Sequence, residues 1–161
     1  MAVKLPIPGF GALDLRYLVS DYTGTLARGG KVTAATERRI VQLAQLLEIH
    51  ILTADTFGTV QRELGHLPVT IRILEPDRQD VRKQGFAADI GAGRVVALGN
   101  GNNDRLLLGP VKAAGGLAIA VDNGEGCAVE TLLAANIFVS GIENALDLLL
   151  EPDRLKATLR F

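Results

Sequence analysis

The chain has 161 residues, and its 17 Lys and Arg nearly balance its 18 Asp and Glu, for a formal charge of −1. This balance argues against a nucleic-acid-binding protein, which would need a basic face. A hydrophobic content of 48% supports a sizeable core and excludes wholesale disorder, and a single cysteine, Cys127, excludes an internal disulfide.

The chain carries no membrane or secretion signal that we can identify. A membrane span needs about 20 apolar residues, and the segment Met1–Phe10 lacks the apolar stretch of a signal peptide. We therefore expect a soluble, cytoplasmic protein with no membrane partner. One domain is expected over residues 1–161, in which residues 1–15 form an N-terminal arm or hairpin.

From residue 16 onward, short apolar runs typical of strands alternate with helical patterns. The predicted strands are Arg16–Ser20, Ile49–Thr53, Val69–Leu74, Arg94–Leu98, Leu117–Val121 and Asn136–Val139. The predicted helices are Ala34–Glu48, Asp55–Leu64, Gln79–Ile90, Asn103–Ala114, Cys127–Ala135, Ile142–Leu150 and Asp153–Arg160. Such alternation predicts an α/β domain with a mainly parallel sheet between two helical layers, a three-layer Rossmann-like architecture.

Small polar residues follow three of the predicted strands, in the segments Asp21–Thr25, Thr53–Asp55 and Gly99–Asp104. Because the carboxyl ends of parallel strands share one edge of the sheet, these segments should converge there, where ligands of such sheets bind.

The first segment suggests phosphoryl chemistry. Asp21 precedes a turn containing Gly24, whose backbone N–H groups could cradle an anion. A carboxylate held there could attack phosphorus and form an aspartyl-phosphate. Mg²⁺ is the natural cation for such a site, with Asp104 as a second carboxylate and Asn100 as a neutral oxygen donor.

Two further side chains could bind the transferring group. The hydroxyl of Thr53 could donate to a phosphoryl oxygen, and Lys83, near the start of the helix before the fourth strand, could offset negative charge on the phosphate and on Asp21.

Together these segments resemble the four motifs of the haloacid dehalogenase (HAD) superfamily. Asp21–Leu26 resembles the first motif, in the version with Thr23 that is similar to the phosphorylation motif of P-type ATPases. Thr53–Asp55 resembles the second motif, Lys83 falls at the third, and Gly99–Asp104 is similar to the fourth. The likeness covers residues 18 to 139. Its nearest form is the small soluble P-type ATPase-like HAD hydrolases, which lack membrane helices and a nucleotide-binding insertion.

The resemblance implies a role for each matching residue. Asp21 would be the nucleophile and a Mg²⁺ ligand, together with the carbonyl oxygen of Thr23. The phosphoryl group would be bound by Thr53 with its neighbour Ala54, by Gly24, by Lys83 and by Asn103. Asn100 would stand among the metal ligands, and Asp104 would support the metal.

Two positions depart from the pattern of HAD phosphatases. Thr23 stands where those enzymes have an aspartate that protonates the leaving group, and a hydroxyl cannot serve as that acid near pH 7. We therefore expect slow turnover or a persistent phospho-aspartate. Asn100 stands where a metal-binding carboxylate is expected, which predicts weak Mg²⁺ binding.

The intervals between the motifs leave no room for a sizeable cap domain, although Gly29 and Gly30 could form a small flap. An open site suits a phosphorylated small molecule or macromolecule, or walls supplied by a second subunit of a homo-oligomer. The alternative to an enzyme is a non-catalytic HAD-fold protein that binds phosphate, a ligand or a partner, which Thr23 and Asn100 favour. A component of a membrane transporter is a third hypothesis, suggested only by the ATPase-like motifs.

Overall fold

A six-stranded, fully parallel sheet forms the centre of the structure, a computed structural model that describes residues 1–55 and 58–161. Its strands run in the order β5-β4-β3-β6-β7-β8, and a separate antiparallel hairpin, β1-β2, precedes them. The strands are β1 (Val3–Ile7), β2 (Gly11–Leu15), β3 (Tyr17–Asp21), β4 (Glu48–Thr53), β5 (Thr70–Ile73), β6 (Val95–Gly99), β7 (Leu117–Asp122) and β8 (Ile137–Ser140).

Helices cover both faces of this sheet, so the three-layer Rossmann-like prediction is confirmed. The helices are α1 (Ala34–Leu43), α2 (Val60–Leu64), α3 (Gln79–Ile90), α4 (Arg105–Ala113), α5 (Val129–Leu133), α6 (Ile142–Leu150) and α7 (Pro152–Leu159). Helix α1 packs against α6 on one face, and α3 packs against α4 on the other. The strand side chains alternate between these faces, as Leu18 and Val19 do in two separate hydrophobic clusters.

The middle strands are buried because helices cover them on both sides. All five residues of β6 are buried, as are the first five of β7, which explains their continuous apolar sequences. The hairpin adds Val3, Ile7, Leu13 and Leu15 to the cluster beneath α1 and α6.

The order of the strands fixes where a ligand can bind. The chain leaves β3 towards β4 on one side and later returns to pair β6 with β3 on the other side. Between β3 and β6 the direction of winding therefore reverses, which opens a crevice at the carboxyl ends of these two strands. Asp21 ends β3 and Asn100 directly follows β6, so both lie at this crevice.

Two predicted helices differ from those observed by five residues at one end, and the others by at most two residues at either end. Helix α1 ends at Leu43 and not at Glu48, because Glu48 begins β4 and its N–H donates to Arg16 O at 2.9 Å. Helix α2 begins at Val60 and not at Asp55, which has a left-handed φ of 43°. The predicted helical residues Thr56 and Phe57 lie outside the described residues.

The connections between β3 and α1 and between β5 and α3 are short loops, so the described part of the chain contains no sizeable cap, as expected. In the same part of the chain, no helix is both long enough and apolar enough to cross a membrane.

Candidate active site

A cleft of about 670 Å³ opens at the carboxyl ends of β3, β4 and β6, and Asp21 forms part of its floor. Asp21 is 7% exposed. Six of the residues predicted for the site line this cleft: Asp21, Thr23, Thr53, Ala54, Asn100 and Asn103. The other three lie behind its surface, with Gly24 beside Asn100 and with Lys83 and Asp104 beneath the floor.

Lys83 links two carboxylates beneath the cleft. Its Nζ donates to Asp21 Oδ1 at 2.9 Å and to Asp104 Oδ1 at 2.7 Å, and its side chain is fully buried. Lys83 lies on helix α3, on one face of the sheet, so its ammonium group reaches Asp21 from the protein interior and not from the cleft. One oxygen of Asp21 is thus held by the lysine.

Both oxygens of Asp104 already accept hydrogen bonds within the protein. Its Oδ2 accepts the backbone N–H groups of Asn100 and Gly101, each at 3.0 Å, while its Oδ1 accepts Lys83. The side chain is fully buried. The structure therefore places Asp104 behind the site, where it fixes both Lys83 and the loop that follows β6.

The charges of this cluster influence one another. Burial, and then the negative charge of Asp104, raises the pKa of Asp21 from 3.8 to about 7, although Lys83 acts in the opposite direction. For Lys83, burial lowers the pKa, but the two carboxylates and their hydrogen bonds outweigh it and raise the pKa overall. The lysine is therefore charged at neutral pH, and Asp21 is the group that changes its protonation.

Thr25 joins the first motif to the fourth. Its hydroxyl donates to Asn100 Oδ1 at 3.0 Å and lies 3.4 Å from Asp21 Oδ2, so these two oxygens approach the same point. The amide nitrogen of Asn100 donates to Gly126 O at 3.2 Å. Asn100 is therefore held on both sides, with its oxygen towards Asp21.

Gly24 is required by this arrangement. It has a φ of 76°, and a Cβ atom there would lie 2.5 Å from Asn100 Nδ2. A side chain at this position would strain the backbone and displace the amide of Asn100.

The second predicted motif forms the opposite wall of the cleft. Thr53 ends β4, and its hydroxyl oxygen accepts the N–H of Asp55 at 3.1 Å, while its hydroxyl hydrogen has no acceptor among residues 1–55 and 58–161. Ala54 lines the cleft beside it. The carboxylate of Asp55 accepts the N–H groups of Thr59 at 2.9 Å and Val60 at 3.1 Å, and so caps the start of α2.

The remaining predicted residues lie near the mouth of the cleft. Thr23 is exposed and lines it directly. Asn103 donates to Gln79 Oε1 at 3.3 Å, which ties the loop after β6 to the start of α3.

A small flap also borders the cleft. Arg28 and Lys31 form an antiparallel bridge around Gly29 and Gly30, both of which have positive φ values, as such a two-residue turn requires. The hydroxyl of Tyr22 donates to Gly30 O at 2.7 Å and holds the flap in place.

The oxygens around Asp21 fit a hard cation with few charged ligands. The donors that face the cleft are a carboxylate oxygen of Asp21, Oδ1 of Asn100 and the segment at Thr23. Among the residues that the structure describes, no three His, Cys, Asp or Glu side chains gather as a metal-binding group. This agrees with Asp104 being fully engaged elsewhere.

Several residues of the site have no role in the sequence analysis. These are Thr25, Gln79, Gly126 and Glu125, which lines the cleft from the loop after β7. Thr25 lies within the first motif, so its hydroxyl was a visible signal. Gln79 and Gly126 act through contacts between segments distant in the chain, for which the sequence offers no signal. Glu125 reaches the cleft because the fold brings the loop after β7 to it, which the sequence does not show either.

Comparison with known proteins identifies a relative. No model of a known protein family matches the chain. Over 67 residues the chain is 51% identical to the uncharacterized protein MJ0073 of Methanocaldococcus jannaschii, a match that covers 42% of this chain and 68% of that protein. The chain belongs to the same family as MJ0073.

Solved structures show which fold this is. A protein of Streptomyces avermitilis assigned to the HAD hydrolase family matches 82% of this chain and 80% of its own, with a TM-score of 0.61 and 21% identity. The 3-deoxy-D-manno-octulosonate 8-phosphate phosphatase of Moraxella catarrhalis, in complex with magnesium, phosphate and KDO, matches 91% of this chain and 94% of its own, with a TM-score of 0.69 and 18% identity. The chain has the HAD fold.

A second phosphatase agrees with this result. The cobalt-bound octulosonate 8-phosphate phosphatase of Haemophilus influenzae covers the same shares of both chains, with a TM-score of 0.67 and 13% identity. The solved structures thus confirm the fold that the resemblance of the four motifs predicts, which is the HAD fold. The narrower likeness to P-type ATPases stays a prediction.

Proposed function

We propose that the protein is a phosphohydrolase or phosphotransferase that depends on a divalent cation and acts through an aspartyl-phosphate on Asp21. One observation carries the proposal: the carboxylate of Asp21 lies at the floor of the cleft, with one oxygen held by the buried cation of Lys83. The other oxygen faces Thr25 and Asn100. The HAD phosphatases that share the fold support this assignment.

The first step transfers the phosphoryl group to Asp21. A carboxylate oxygen of Asp21 attacks phosphorus, and the bond between phosphorus and the leaving oxygen breaks. The hydroxyl of Thr53 donates to one phosphoryl oxygen, and the amide of Asn103 is placed to contact the same group. Lys83 offsets the negative charges of Asp21 and of the phosphoryl oxygens, which reduces the repulsion between them.

The second step restores the enzyme. Water attacks the phosphorus of the aspartyl-phosphate, the bond to the Asp21 oxygen breaks, and inorganic phosphate leaves. In the phosphotransferase version, an alcohol takes the place of water.

A divalent cation, with Mg²⁺ as the expected ion, would be held by Asp21, by Asn100 Oδ1 and by the carbonyl oxygen of Thr23, with Asp104 supporting the loop from behind. Such an ion neutralises the charge of the phosphate and reduces its repulsion from the nucleophile. Mg²⁺ is commonly held by one or two carboxylates together with substrate phosphate, and this donor set fits that description.

Thr23 makes both steps slow. Its hydroxyl lines the cleft where a general acid would protonate the leaving oxygen, but a hydroxyl does not release a proton near pH 7. The leaving oxygen must then take its proton from water, and no side chain at position 23 activates the attacking water. A leaving group that departs readily without a proton, such as an aryl or acyl phosphate, is expected to react fastest.

A second candidate is a non-catalytic protein that binds phosphate or a phosphorylated ligand. The hydrogen bond from Asn100 Nδ2 to Gly126 O favours it, because this bond holds an uncharged amide where HAD phosphatases are expected to have a metal-binding carboxylate. The two candidates share a cleft and differ in whether Asp21 reacts.

A trapping experiment separates these candidates. The protein is incubated with acetyl phosphate and Mg²⁺, and the intact mass is measured, with beryllofluoride as an unreactive mimic of the phosphoryl group. We expect one added phosphoryl group on Asp21, and none in Asp21→Asn. The exposed Asp153→Asn is the matched control and should be labelled like the wild type. Binding of phosphate without any adduct would favour the second candidate.

A further inference from the structure

The outer part of the cleft carries negative charge. Asp55 lies in its wall and Glu125 on its rim. Within residues 1–55 and 58–161, no lysine or arginine lines the cleft, and the two remaining residues, Thr56 and Phe57, carry no charge. The cation of Lys83 lies under the floor and is already bound by two carboxylates.

Glu125 is held at the rim by a fixed loop. Asp122 Oδ1 accepts the N–H groups of Gly124 at 2.9 Å and Gly126 at 3.0 Å, so the loop closes on both sides of Glu125. Gly126 O in turn accepts the amide of Asn100. The backbone of Glu125 is thus fastened to a residue of the cleft floor, although its side chain is exposed to solvent.

The two rim carboxylates differ in their availability. Asp55 accepts two backbone N–H groups at the start of α2, and these offset its charge. Within the described residues, the carboxylate of Glu125 has neither a hydrogen bond nor an ion pair, although the side chain of Arg28 lies beside the neighbouring Gly124. Glu125 is therefore the charge that an incoming substrate meets.

We propose that Glu125 determines substrate charge: the site prefers phosphomonoesters whose alcohol carries an amine, then neutral alcohols, and disfavours acidic alcohols. This inference rests on the proposed function, since it concerns the leaving group of the same reaction. The phosphate end meets Asp21 and Thr53, with the charge of Lys83 beneath them, while the alcohol end extends towards the rim. There a positive group is attracted by Glu125 and a carboxylate is repelled.

Three esters of nearly equal size test this ordering. O-phosphoethanolamine, 2-hydroxyethyl phosphate and phosphoglycolate differ mainly in carrying an amine, a hydroxyl or a carboxylate at the same distance from phosphorus. Each is measured as a competitive inhibitor of p-nitrophenyl phosphate hydrolysis with Mg²⁺ at pH 7.5. We expect the amine to bind best and the carboxylate worst. The interaction between Glu125 and one unit charge on the ester, partly screened by water, should change the inhibition constant by about threefold to thirtyfold.

The variant Glu125→Gln should compress the ratio between the amine and the carboxylate by at least about threefold. The matched control is Glu130→Gln, which removes the same charge from an exposed position of α5 outside the cleft and should keep the ratio. The comparison uses ratios within each variant, so a general change in activity cancels.

Three outcomes would overturn the inference: equal constants for the three esters, a ratio between the amine and the carboxylate that Glu125→Gln leaves unchanged at an unchanged Mg²⁺ requirement, or the same unchanged ratio with a higher Mg²⁺ requirement in that variant. The last outcome would assign Glu125 to the metal. If p-nitrophenyl phosphate is not hydrolysed, the esters are titrated calorimetrically in the presence of Mg²⁺. The same ordering would then support the role of Glu125 while the proposed enzymatic function fails.

Discussion

Lys83 and Asp104 form an ion pair of 2.7 Å in which both side chains are fully buried. Such a pair is costly to desolvate and is stabilising only when its remaining donors and acceptors are satisfied. Here most of them are satisfied, because Asp104 also accepts two backbone N–H groups and Lys83 also donates to Asp21. The pair thus connects α3 to the loop after β6 and holds the nucleophile between them.

Removing the lysine should therefore destabilise the whole protein. Lys83→Met leaves Asp21 and Asp104 buried without a cation, and we expect the free energy of unfolding to fall by about 3–5 kcal/mol. Urea denaturation at pH 7.5 measures it. Lys112→Met, at an exposed position, is the control and should change stability by less than about 1 kcal/mol. Equal stability of both variants would mean that the buried cluster tolerates the loss of its cation.

The protonation of Asp21 should make stability depend on pH. Burial and the charge of Asp104 raise its pKa from 3.8 to about 7, so between these values the folded protein holds a proton that the unfolded chain has released. The stabilisation from this proton is complete below about pH 3.8 and is lost as the pH rises through about 7.

The measurement compares wild type with Asp21→Asn, which does not titrate at this position, by urea denaturation in EDTA. From pH 4.5 to 7.5 the wild type should lose stability relative to the variant, by at most about 4 kcal/mol. A difference that stays constant over this range would contradict the raised pKa.

Restoring an acid at position 23 should accelerate the reaction. In Thr23→Asp, the new carboxyl group can protonate the leaving oxygen and later activate water, so we expect loss of the phosphoryl group from Asp21 to be about 10²–10⁴ times faster. Decay of the acetyl-phosphate-labelled protein, followed by intact mass, measures this. Thr23→Asn has a similar size without an acid and should behave like the wild type; the same acceleration in both variants would exclude acid–base catalysis as its cause.

The sequence was sufficient to predict the layers and the place of the site. The alternation of apolar runs with helical patterns indicated each strand of the parallel sheet. The signal was clearest for the inner strands, which are buried on both faces and almost wholly apolar, as in Val95–Gly99. Parallel strands share their carboxyl edge, so Asp21, Thr53 and Asn100 had to converge.

Contacts between distant segments could not be predicted. Leu46 and Leu47 continue the helical period of α1, yet strand pairing at Glu48 ends the helix earlier. Asp55 was read as the first residue of a helix, whereas its carboxylate caps one that begins at Val60. In the first case, pairing with a distant strand decides the boundary, and in the second a side-chain hydrogen bond between residues five positions apart decides it.

The same holds for Asp104. The fourth motif suggested a carboxylate near the metal, but the order of residues does not reveal that Lys83, 21 positions earlier, occupies one of its oxygens. The number of free carboxylates is therefore a property of the folded cluster.

The number of carboxylates that are free to bind a cation leads to a prediction about Asn100. Asn100→Asp adds a carboxylate beside Asp21, so Mg²⁺ should bind at least about tenfold more tightly. The same change replaces the amide that donates to Gly126 O, and two acceptors then face each other, so the metal-free protein should lose about 1–2 kcal/mol of stability. Calorimetric titration measures the affinity, and urea denaturation in EDTA measures the stability.

Asn136→Asp, on the far side of β7, is the control for the added charge and should leave Mg²⁺ affinity unchanged. Unchanged affinity in Asn100→Asp would show that the cation does not lie beside Asn100.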